Sequence, residues 1–491
     1  MPHTTNYLAY DLGASSGRAV LGKFDGHRIT LEECHRFTNH SMLVGNHYYW
    51  DALRLYEDML HGLRQAALQG HTLNGLGVDT WGVDYGLLDA HDELIGNPRC
   101  YRDSRTQGMM AEAFKHVSRK DIFEQTGIQF MELNTLYQLL SMRMQKSPQL
   151  DMAHTFLTMP DLFNFWFTGR KTCEFSNATT TQFYNPQKGT WANNLLNKLD
   201  IPTHLFPEIV PPGTLLGPLR KNLVNELGLP AVDVIAPACH DTGSAVAAVP
   251  LSSPDAVYIS CGTWALMGAE ISKATINEKA LANNFTNEGG VCNTFRFLKN
   301  ISGLWMVQEC RRIWAQQGKD FDWIRLMTLA KEAPALTAFV DPDNPIFLTP
   351  GDMPARIRET CQKTGQPVPD TAGGIIRIAL ESLALKCRHV LGLLEDTLGK
   401  KTSHIHMVGG GIQNTLLCQY IAEATGRTVL AGPVEATAMG NLLMQAMAKG
   451  QLGSLNDLRD VVKNSTEIVE YKPTQPDQWA EAYARFKKML S

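Results

Sequence analysis

The chain has 491 residues, of which 44% are hydrophobic, so it is long enough for two or three domains with large buried cores. Its formal net charge is -4, from 45 Lys and Arg against 49 Asp and Glu, and the sequence contains no basic run. This charge balance argues against nucleic-acid and membrane partners, so local groups must hold any anionic ligand.

The N-terminus and the cysteines indicate a cytoplasmic protein. The first residues lack a basic segment followed by an apolar core, and no apolar run approaches the roughly 20 residues that span a bilayer. The ten cysteines are scattered, without a Cys-x-x-Cys motif or a His/Cys cluster, which argues against a zinc site and a disulfide framework. We expect reduced, mostly packed thiols in a protein that is neither exported nor anchored.

The first motif, residues 7–24, has the pattern strand, Gly/Ser turn, strand. In the turn Gly13-Ala14-Ser15-Ser16-Gly17, backbone N–H groups can approach a phosphate, and Arg18 adds a fixed positive charge. Asp11 ends the first strand, where a hard oxygen ligand suits magnesium, held directly or through water. A tight hairpin is often Gly/Ser-rich for conformational reasons alone, so a plain turn stays an alternative to a phosphate loop.

The next motif, residues 74–88, consists of two apolar strand segments interrupted by Thr80-Trp81-Gly82. A Trp followed by Gly can stack on a sugar face while the backbone comes close to the sugar. A buried Trp at a bulge is the alternative. Residues 159–169 are predicted to form an aromatic-rich helix ending at a glycine, and the polar run 176–182 is turn-like without an assigned chemistry.

A pair of ionisable residues, His240 and Asp241, follows the apolar strand predicted at Val232–Ala236. The small residues after Asp241 predict a helix, which places this carboxylate near the positive end of a helix dipole. Such a carboxylate can accept a proton from a hydroxyl. Helix capping is the alternative role for Asp241.

The pattern of the first hairpin returns at residues 256–269, after the predicted boundary segment Leu251-Ser-Ser-Pro254. This weak internal duplication predicts two related α/β lobes, 1–250 and 251–491, each with a phosphate-binding hairpin. Gly262 and Thr263 are then expected to face residues 13–17 across a bound nucleotide.

The remaining predictions concern the second half. Residues 299–308 are predicted to be a loop leading into a helix, with Asn300 and Gln308 as hydrogen-bonding amides. Residues 376–398 are predicted to form a core helix. Gly409-Gly410-Gly411 follows a strand and precedes a helix, so an adenine or ribose could lie against bare backbone, although tight turns also need glycine. His404 and His406 on that strand have no third ligand nearby, which argues against a metal role.

Taken together, these motifs resemble the FGGY family of carbohydrate kinases over nearly the whole chain. The resemblance rests on the Asp-Leu-Gly hairpin, the His240-Asp241-Thr242 junction, the second Gly-Thr hairpin, Gly409-Gly-Gly and Glu435-Ala-Thr-Ala. It implies two ribonuclease-H-like, actin-like ATPase lobes with a catalytic cleft between them. The strings Asp79-Thr-Trp-Gly-Val-Asp84, Tyr101-Arg-Asp103, Asn177-Ala-Thr-Thr-Thr181 and Lys299-Asn300 narrow the implied reaction to phosphorylation of L-rhamnulose at its 1-hydroxyl by ATP and Mg²⁺.

The resemblance also implies roles for individual residues. Asp241 matches the proton acceptor. The positions that match sugar contacts are Gly82, His240, Thr242 and Asn300. The positions that match nucleotide contacts are Ala14, Ser15, Ser16, Gly17, Arg18, Thr263, Gln308 and Gly410. Some members carry disulfides, but the cysteines here do not form matching pairs, so none is expected.

Two other functions stay open. ATP-driven chaperones and filaments share the actin-like fold but have no pocket for a small polyol, and the Trp81-Gly82 and His240-Asp241-Thr242 elements argue against them. A kinase of the same family that acts on another ketose, such as L-fuculose or xylulose, is a closer alternative, because sequence does not fix the placement of hydroxyl partners.

Overall fold

The computed structural model describes residues 4–251, 253 and 255–490, in a mixed α/β arrangement. Its strands are, in chain order, β1 Thr5–Leu12, β2 Ser16–Phe24, β3 Ile29–Thr38, β4 Met42–Val44, β5 His47–Tyr49, β6 Leu73–Thr80, β7 Tyr85–Leu88, β8 Thr155–Thr158, β9 Cys173–Glu174, β10 Tyr184–Asn185, β11 Thr190–Trp191, β12 Ile209–Val210, β13 Thr214–Pro218, β14 Asp233–Ala236, β15 Val257–Cys261, β16 Trp264–Ile271, β17 Thr286–Gly289, β18 Phe295–Ser302, β19 His404–Val408, β20 Thr428–Ala431 and β21 Val469–Tyr471.

The α-helices are, in chain order, α1 Ala52–Leu68, α2 Met109–His116, α3 Arg119–Thr126, α4 Thr135–Met144, α5 Pro148–Met152, α6 Met159–Thr168, α7 Phe175–Ala178, α8 Asn193–Lys198, α9 Lys221–Leu227, α10 Asp241–Ala247, α11 Glu278–Ala282, α12 Trp305–Gln316, α13 Trp323–Glu332, α14 Pro345–Leu348, α15 Met353–Lys363, α16 Ala372–Leu398, α17 Thr415–Thr425, α18 Ala436–Ala448, α19 Leu455–Ser465 and α20 Pro476–Leu490. Short 3₁₀ helices cover Ser104–Thr106, Thr179–Thr181, Thr203–Leu205 and Gly410–Gln413.

The chain packs as two compact units. The first unit contains the residues up to Pro250 together with Glu270–Phe297 and Ala436–Ser465; the second contains Leu251–Ala269, Leu298–Glu435 and the chain from Thr466 onward. The functional division at residues 250 and 251 stays a prediction. Ser252 and Pro254 of the predicted boundary segment, like residues 1–3, lie outside the described residues.

The first unit is built on a six-stranded sheet with the order β13-β14-β6-β1-β2-β3. The predicted hairpin is present, because β1 pairs antiparallel with β2, and β1 also pairs parallel with β6. A nearly continuous apolar sequence buries β1 on both faces, as expected for a strand inside a parallel pair. The register aligns Asp11 with Asp79, so two carboxylates lie side by side near the carboxyl ends of adjacent strands.

Helix α1 contributes to the core on one face of this sheet. Its apolar residues recur at helical spacing, with Leu55, Met59 and Leu63 fully buried, and Asp51 caps it by accepting the N–H of Arg54 at 3.2 Å. Leu76, Val78 and residues of α6 belong to the same core cluster. This packing fixes the strands that carry Asp11 and Asp79.

The second unit repeats the hairpin connectivity. Strand β15 pairs antiparallel with β16 and parallel with β19, which in turn pairs with β20. The predicted core helix is confirmed as α16, which begins four residues earlier than predicted, is capped by Thr371 and ends at Gly399 with φ 66°. The predicted loop at residues 299–302 is wrong, since these residues lie on strand β18.

Among the described residues, no helix combines the length and the apolar character needed to cross a bilayer. All ten cysteines are free thiols, eight of them buried.

Candidate active site

The first predicted phosphate turn is a tight hairpin held by short hydrogen bonds. Gly13 donates its N–H to the Ser16 carbonyl oxygen at 2.9 Å, and the Asn39 side chain donates to the Gly13 carbonyl at 2.8 Å. Asp11 and Arg18 face each other across the two strands, with Nη2 and Oδ2 2.6 Å apart. Both side chains are largely shielded, so this ion pair fixes the base of the turn.

Packing also bears on two predicted site glycines. A Cβ on Gly17 would lie 2.2 Å from the ring of Phe37, and a Cβ on Gly82 would lie 3.0 Å from Thr180. An added methyl group at Gly17 would therefore force the Phe37 ring to move, whereas at Gly82 a small shift of Thr180 would accommodate it.

Asp79 lies beside the predicted site residue Asp11, and the sequence analysis did not single it out. It is fully buried next to Asp11, and Asn441 donates from Nδ2 to its Oδ2 at 2.6 Å. Its Oδ1 has no hydrogen-bond partner among the described residues. Burial, followed by the negative charges of Asp11 and Asp241, raises the pKa of Asp79 well above the usual value, against the lowering effect of the Asn441 hydrogen bond.

Asp241 is the first residue of α10, and its side chain is 30% exposed. Its Oδ1 accepts hydrogen bonds from the N–H of Thr242 at 2.5 Å and from the Thr242 hydroxyl at 3.1 Å. Removal from water raises the pKa of Asp241; the neighbouring His240 counteracts this effect and the charge of Asp11 adds to it. His240, not Asp241, occupies the N-cap position of the helix.

His240 contacts charged side chains through both ring nitrogens. Nε2 lies 3.4 Å from Asp241 Oδ1, whereas Nδ1 lies 3.1 Å from Arg296 Nη2 and 3.4 Å from Glu288 Oε2. Arg296 and Glu288 come from β18 and β17, and the sequence analysis missed both.

The unassigned polar run 176–182 forms a buried scaffold for the His240-Asp241 junction. Glu174, just before it, accepts hydrogen bonds from the Ser176 hydroxyl at 2.5 Å and from the Cys239 N–H at 2.8 Å. Ser176 Oγ in turn accepts the N–H of His240 at 3.0 Å. Burial raises the pKa of Glu174 to about 7. The run is therefore helical and buried, not an open turn.

Trp81 does not offer its ring as a stacking surface. It is 5% exposed, it packs against Trp50 with ring centroids 4.4 Å apart, and its Nε1 donates to Asp84 Oδ2 at 3.0 Å. Desolvation raises the pKa of Asp84 to about 6 despite its hydrogen bonds. The sugar-stacking interpretation of Trp81 is therefore wrong, and the buried-Trp alternative holds.

In the second unit, the Gly-Thr turn contacts the start of α12. Thr263 donates from its hydroxyl to Gln308 Oε1 at 3.1 Å, and Gly303 donates its N–H to the Thr263 carbonyl at 3.0 Å. Thr263 and Gln308, predicted separately, are thus brought together. Asn300 is partly exposed on β18.

The three successive glycines differ in their surroundings. Gly409 has φ 88°, and a Cβ on Gly411 would lie 2.5 Å from the sulfur of Cys261. Gly410 is exposed, and a Cβ there would meet no atom within 4 Å. Gly410 is therefore the most exposed of the three, while the conformation of Gly409 and the packing of Gly411 give structural reasons for glycine at those two positions.

The predicted site residues fall into two groups, one in each unit. The first unit holds Asp11, Ala14, Ser15, Ser16, Gly17, Arg18, Gly82, His240, Asp241 and Thr242, and the second holds Thr263, Asn300, Gln308 and Gly410. Over the described part of the chain, no group of three or more His, Cys, Asp and Glu is close enough to hold a metal ion by itself.

Comparison with known proteins matches both halves of the chain. Residues 6–248 match the profile of the FGGY family of carbohydrate kinases, N-terminal domain, and residues 257–449 match that of its C-terminal domain. A protein named rhamnulokinase from Bacteroides thetaiotaomicron is 40% identical over 485 residues, 99% of each chain. A rhamnulokinase from Pectobacterium atrosepticum is 40% identical over 99% of this chain and 96% of its own.

The fold also matches a solved structure. Ligand-bound xylulose kinase from Lactobacillus acidophilus has a TM-score of 0.79 over 99% of this chain and 97% of its own, at 16% identity. At that identity the likeness concerns the fold alone, and it confirms the predicted two-lobe, actin-like α/β class.

Proposed function

Since the chain belongs to the FGGY family of carbohydrate kinases, we propose that it phosphorylates L-rhamnulose at the 1-hydroxyl, giving L-rhamnulose 1-phosphate and ADP in L-rhamnose catabolism. The observation that carries this proposal is the 40% identity to a rhamnulokinase over 99% of both chains. ATP is the co-substrate of this sugar kinase, and we assign the reaction to the cytoplasm.

Asp241 is the proposed proton acceptor. A primary hydroxyl is a weak nucleophile at neutral pH, so a carboxylate must take its proton as the new oxygen–phosphorus bond forms. The bond from the γ-phosphorus to the bridging oxygen breaks at the same time, and ADP leaves. The partial exposure of Asp241, with Oδ1 oriented by Thr242, supports this role. Its raised pKa makes the carboxylate a better base.

The other residues are proposed to bind the two substrates. His240, Thr242, Gly82 and Asn300 hydrogen-bond or approach the sugar. The nucleotide contacts Ala14, Ser15, Ser16, Gly17, Arg18, Thr263, Gln308 and Gly410. Backbone N–H groups of the hairpin and the guanidinium of Arg18 stabilise the charge that spreads over the γ-phosphoryl oxygens in the transition state.

Asp11 is the proposed magnesium position. Mg²⁺ in kinase sites is held by one or two carboxylates together with substrate phosphates, so a complete protein ligand set is not required. Asp11 and the unpartnered Oδ1 of the adjacent Asp79 would supply hard oxygen donors, and the charge of a bound ion would favour the ionised form of Asp79 against the effect of its burial. When bound, the ion neutralises phosphate charge.

An ADP-release assay over a panel of ketoses tests the proposal. We expect the highest kcat/KM for L-rhamnulose, with lower values for L-fuculose and xylulose. No preference for L-rhamnulose would overturn the substrate assignment. ATP hydrolysis that is independent of every sugar would favour the class of ATP-driven chaperones and filaments instead.

A further inference from the structure

Two buried charged residues lie against the ring of His240, at the nitrogen opposite to the one that faces Asp241. Arg296 Nη2 is 3.1 Å from Nδ1, and Glu288 Oε2 is 3.3 Å from the same Nη2. The Arg296 side chain is completely buried and that of Glu288 is 6% exposed. Neither side chain therefore offers a surface to a substrate, and their effect on the reaction must pass through His240.

The position of Arg296 is fixed independently of His240. Its Nε donates to the carbonyl oxygen of Gly289 at 2.8 Å, and the N–H of Gly289 is bound to Thr179 Oγ1 at 2.8 Å. A Cβ on Gly289 would lie 2.6 Å from the ring of Phe175, so this backbone is packed closely. The guanidinium is thus a fixed donor and does not follow the imidazole.

A guanidinium has N–H donors, no acceptor, and keeps its proton at all working pH values. An imidazole nitrogen 3.1 Å from such a donor must present its lone pair, which leaves the ring proton on the other nitrogen. Glu288 Oε2 is 3.4 Å from Nδ1, beyond ordinary hydrogen-bond distance, and it offsets the charge of Arg296.

We propose that Arg296 is a positioning residue that holds His240 as the neutral Nε2–H tautomer. His240 then presents an N–H, never a lone pair, towards Asp241. Nε2 lies 3.4 Å from Asp241 Oδ1, so this N–H acts as a positive dipole that keeps the carboxylate ionised and ready to accept the proton of the sugar hydroxyl, whereas a lone pair would repel it. The catalytic consequence rests on the proposed function, whereas the tautomer itself does not.

Nitrogen-15 NMR of the full chain, labelled at histidine, measures the tautomer directly. The His240 signals are identified by their loss in His240→Gln. In the wild type at neutral pH we expect a protonated Nε2 and an unprotonated Nδ1. A wild-type spectrum with the proton on Nδ1, or with an imidazolium, overturns the proposal without any variant.

Variants then distinguish the effect of Arg296 on the His240 tautomer from that of Glu288. We expect Arg296→Met to give a mixture of tautomers and to lower kcat for L-rhamnulose by about 10-fold or more, because a nitrogen lone pair then faces the Asp241 carboxylate in part of the molecules, with a smaller change in KM. Arg296→Lys, which keeps a donor, should recover part of the Nε2–H population, and Glu288→Gln should retain it. A tautomer that changes in Glu288→Gln and not in Arg296→Met contradicts the assignment.

Arg459→Met is the matched control. Arg459 forms an ion pair with Glu270 at 2.8 Å in the same unit, with both side chains at most 15% exposed. Losing this pair should destabilise the protein comparably to Arg296→Met but leave the His240 spectrum unchanged and kcat within about twofold. An equal fall of kcat in both variants, with unchanged tautomers, would reduce Arg296 to a structural role. Absence of sugar kinase activity in the wild type would refute the proposed function and leave the spectrum interpretable.

Discussion

Asn441 donates a 2.6 Å hydrogen bond from Nδ2 to Oδ2 of Asp79, although 362 residues separate the two positions. Gln445, one turn further along α18, donates to Asn441 Oδ1 at 2.7 Å and to the Leu8 carbonyl at 3.0 Å. These amides connect α18 to the strands that carry Asp11 and Asp79. They also provide the partner that a fully buried carboxylate needs.

We therefore expect Asn441→Ala to lower the free energy of unfolding by about 1–3 kcal/mol, because it leaves a buried carboxyl oxygen without a partner and removes one of the two acceptors of the Gln445 amide. Urea denaturation at constant pH measures this loss. The exposed Asn464, which donates to the His27 carbonyl at 3.4 Å, provides the control Asn464→Ala. Its loss should stay within about 0.5 kcal/mol, and equal losses in the two variants would contradict the prediction.

Replacing the proposed base tests the chemistry. Asp241→Asn should lower kcat by about 10²-fold or more, because the amide cannot accept the proton of the sugar hydroxyl. Isothermal calorimetry should show that ADP and L-rhamnulose still bind with similar affinity. Asp200→Asn, which removes only the ion pair with the partly exposed Arg143, should leave kcat within about twofold. Near-normal turnover of Asp241→Asn would exclude Asp241 as the base.

The buried Asp161 predicts a pH dependence of stability. Burial raises its pKa from 3.8 to about 8, so the folded protein holds this proton more tightly than the unfolded chain does. Its contribution to stability is complete below the pKa of the unfolded chain, 3.8, and is lost as the pH rises from there to the folded pKa of about 8.

Asp161→Asn keeps a neutral side chain at every pH. The free energy of unfolding of the variant minus that of the wild type should increase by up to about 1.4 kcal/mol per pH unit as the pH rises towards 8. Above that pH this difference should level off. Urea denaturation of both proteins at several pH values measures the difference. A difference that is constant with pH would mean that the carboxyl ionises at its ordinary value.

The glycine triplet gives a paired comparison. Gly411→Ala should destabilise the protein by about 1–3 kcal/mol, because the added methyl group would overlap Cys261. Gly410→Ala meets open space, so it should leave thermal stability nearly unchanged while raising the Kd for ADP. Thermal unfolding and calorimetry of both variants measure these effects. Unchanged ADP affinity in Gly410→Ala would remove this residue from the proposed nucleotide site.

Local patterns carried most of what could be predicted. Apolar strands joined by Gly/Ser turns predict both hairpins, and a small-residue run after Asp241 predicts α10, because neighbours in sequence determine these elements. Strand β18 was missed because Lys299 and Asn300 interrupt its apolar character. The indole of Trp81 was misjudged because its burial depends on packing against Trp50, which lies outside the motif.

The missed site residues have distant partners. Arg296 lies 56 residues from His240, and no spacing rule connects them. One feature of the sequence could have identified Asp79. Like Asp11, it is the next-to-last residue of a buried strand, and the parallel pairing of β1 and β6 brings the two residues together. The sequence near Asp79 does not show that Asn441 is its hydrogen-bond donor, because this contact depends on the path of the chain far downstream.

The path of the chain between the two units determines when the first unit can fold during synthesis. The first unit needs the segment Ala436–Ser465, which leaves the ribosome only after most of the second unit. A nascent chain that ends near residue 250 therefore exposes the buried face of β1 and β6 and holds Asp79 without its amide. Helix α18 covers β1 and β6 only late, so ribosome-bound intermediates should require chaperone protection until almost the entire protein has emerged.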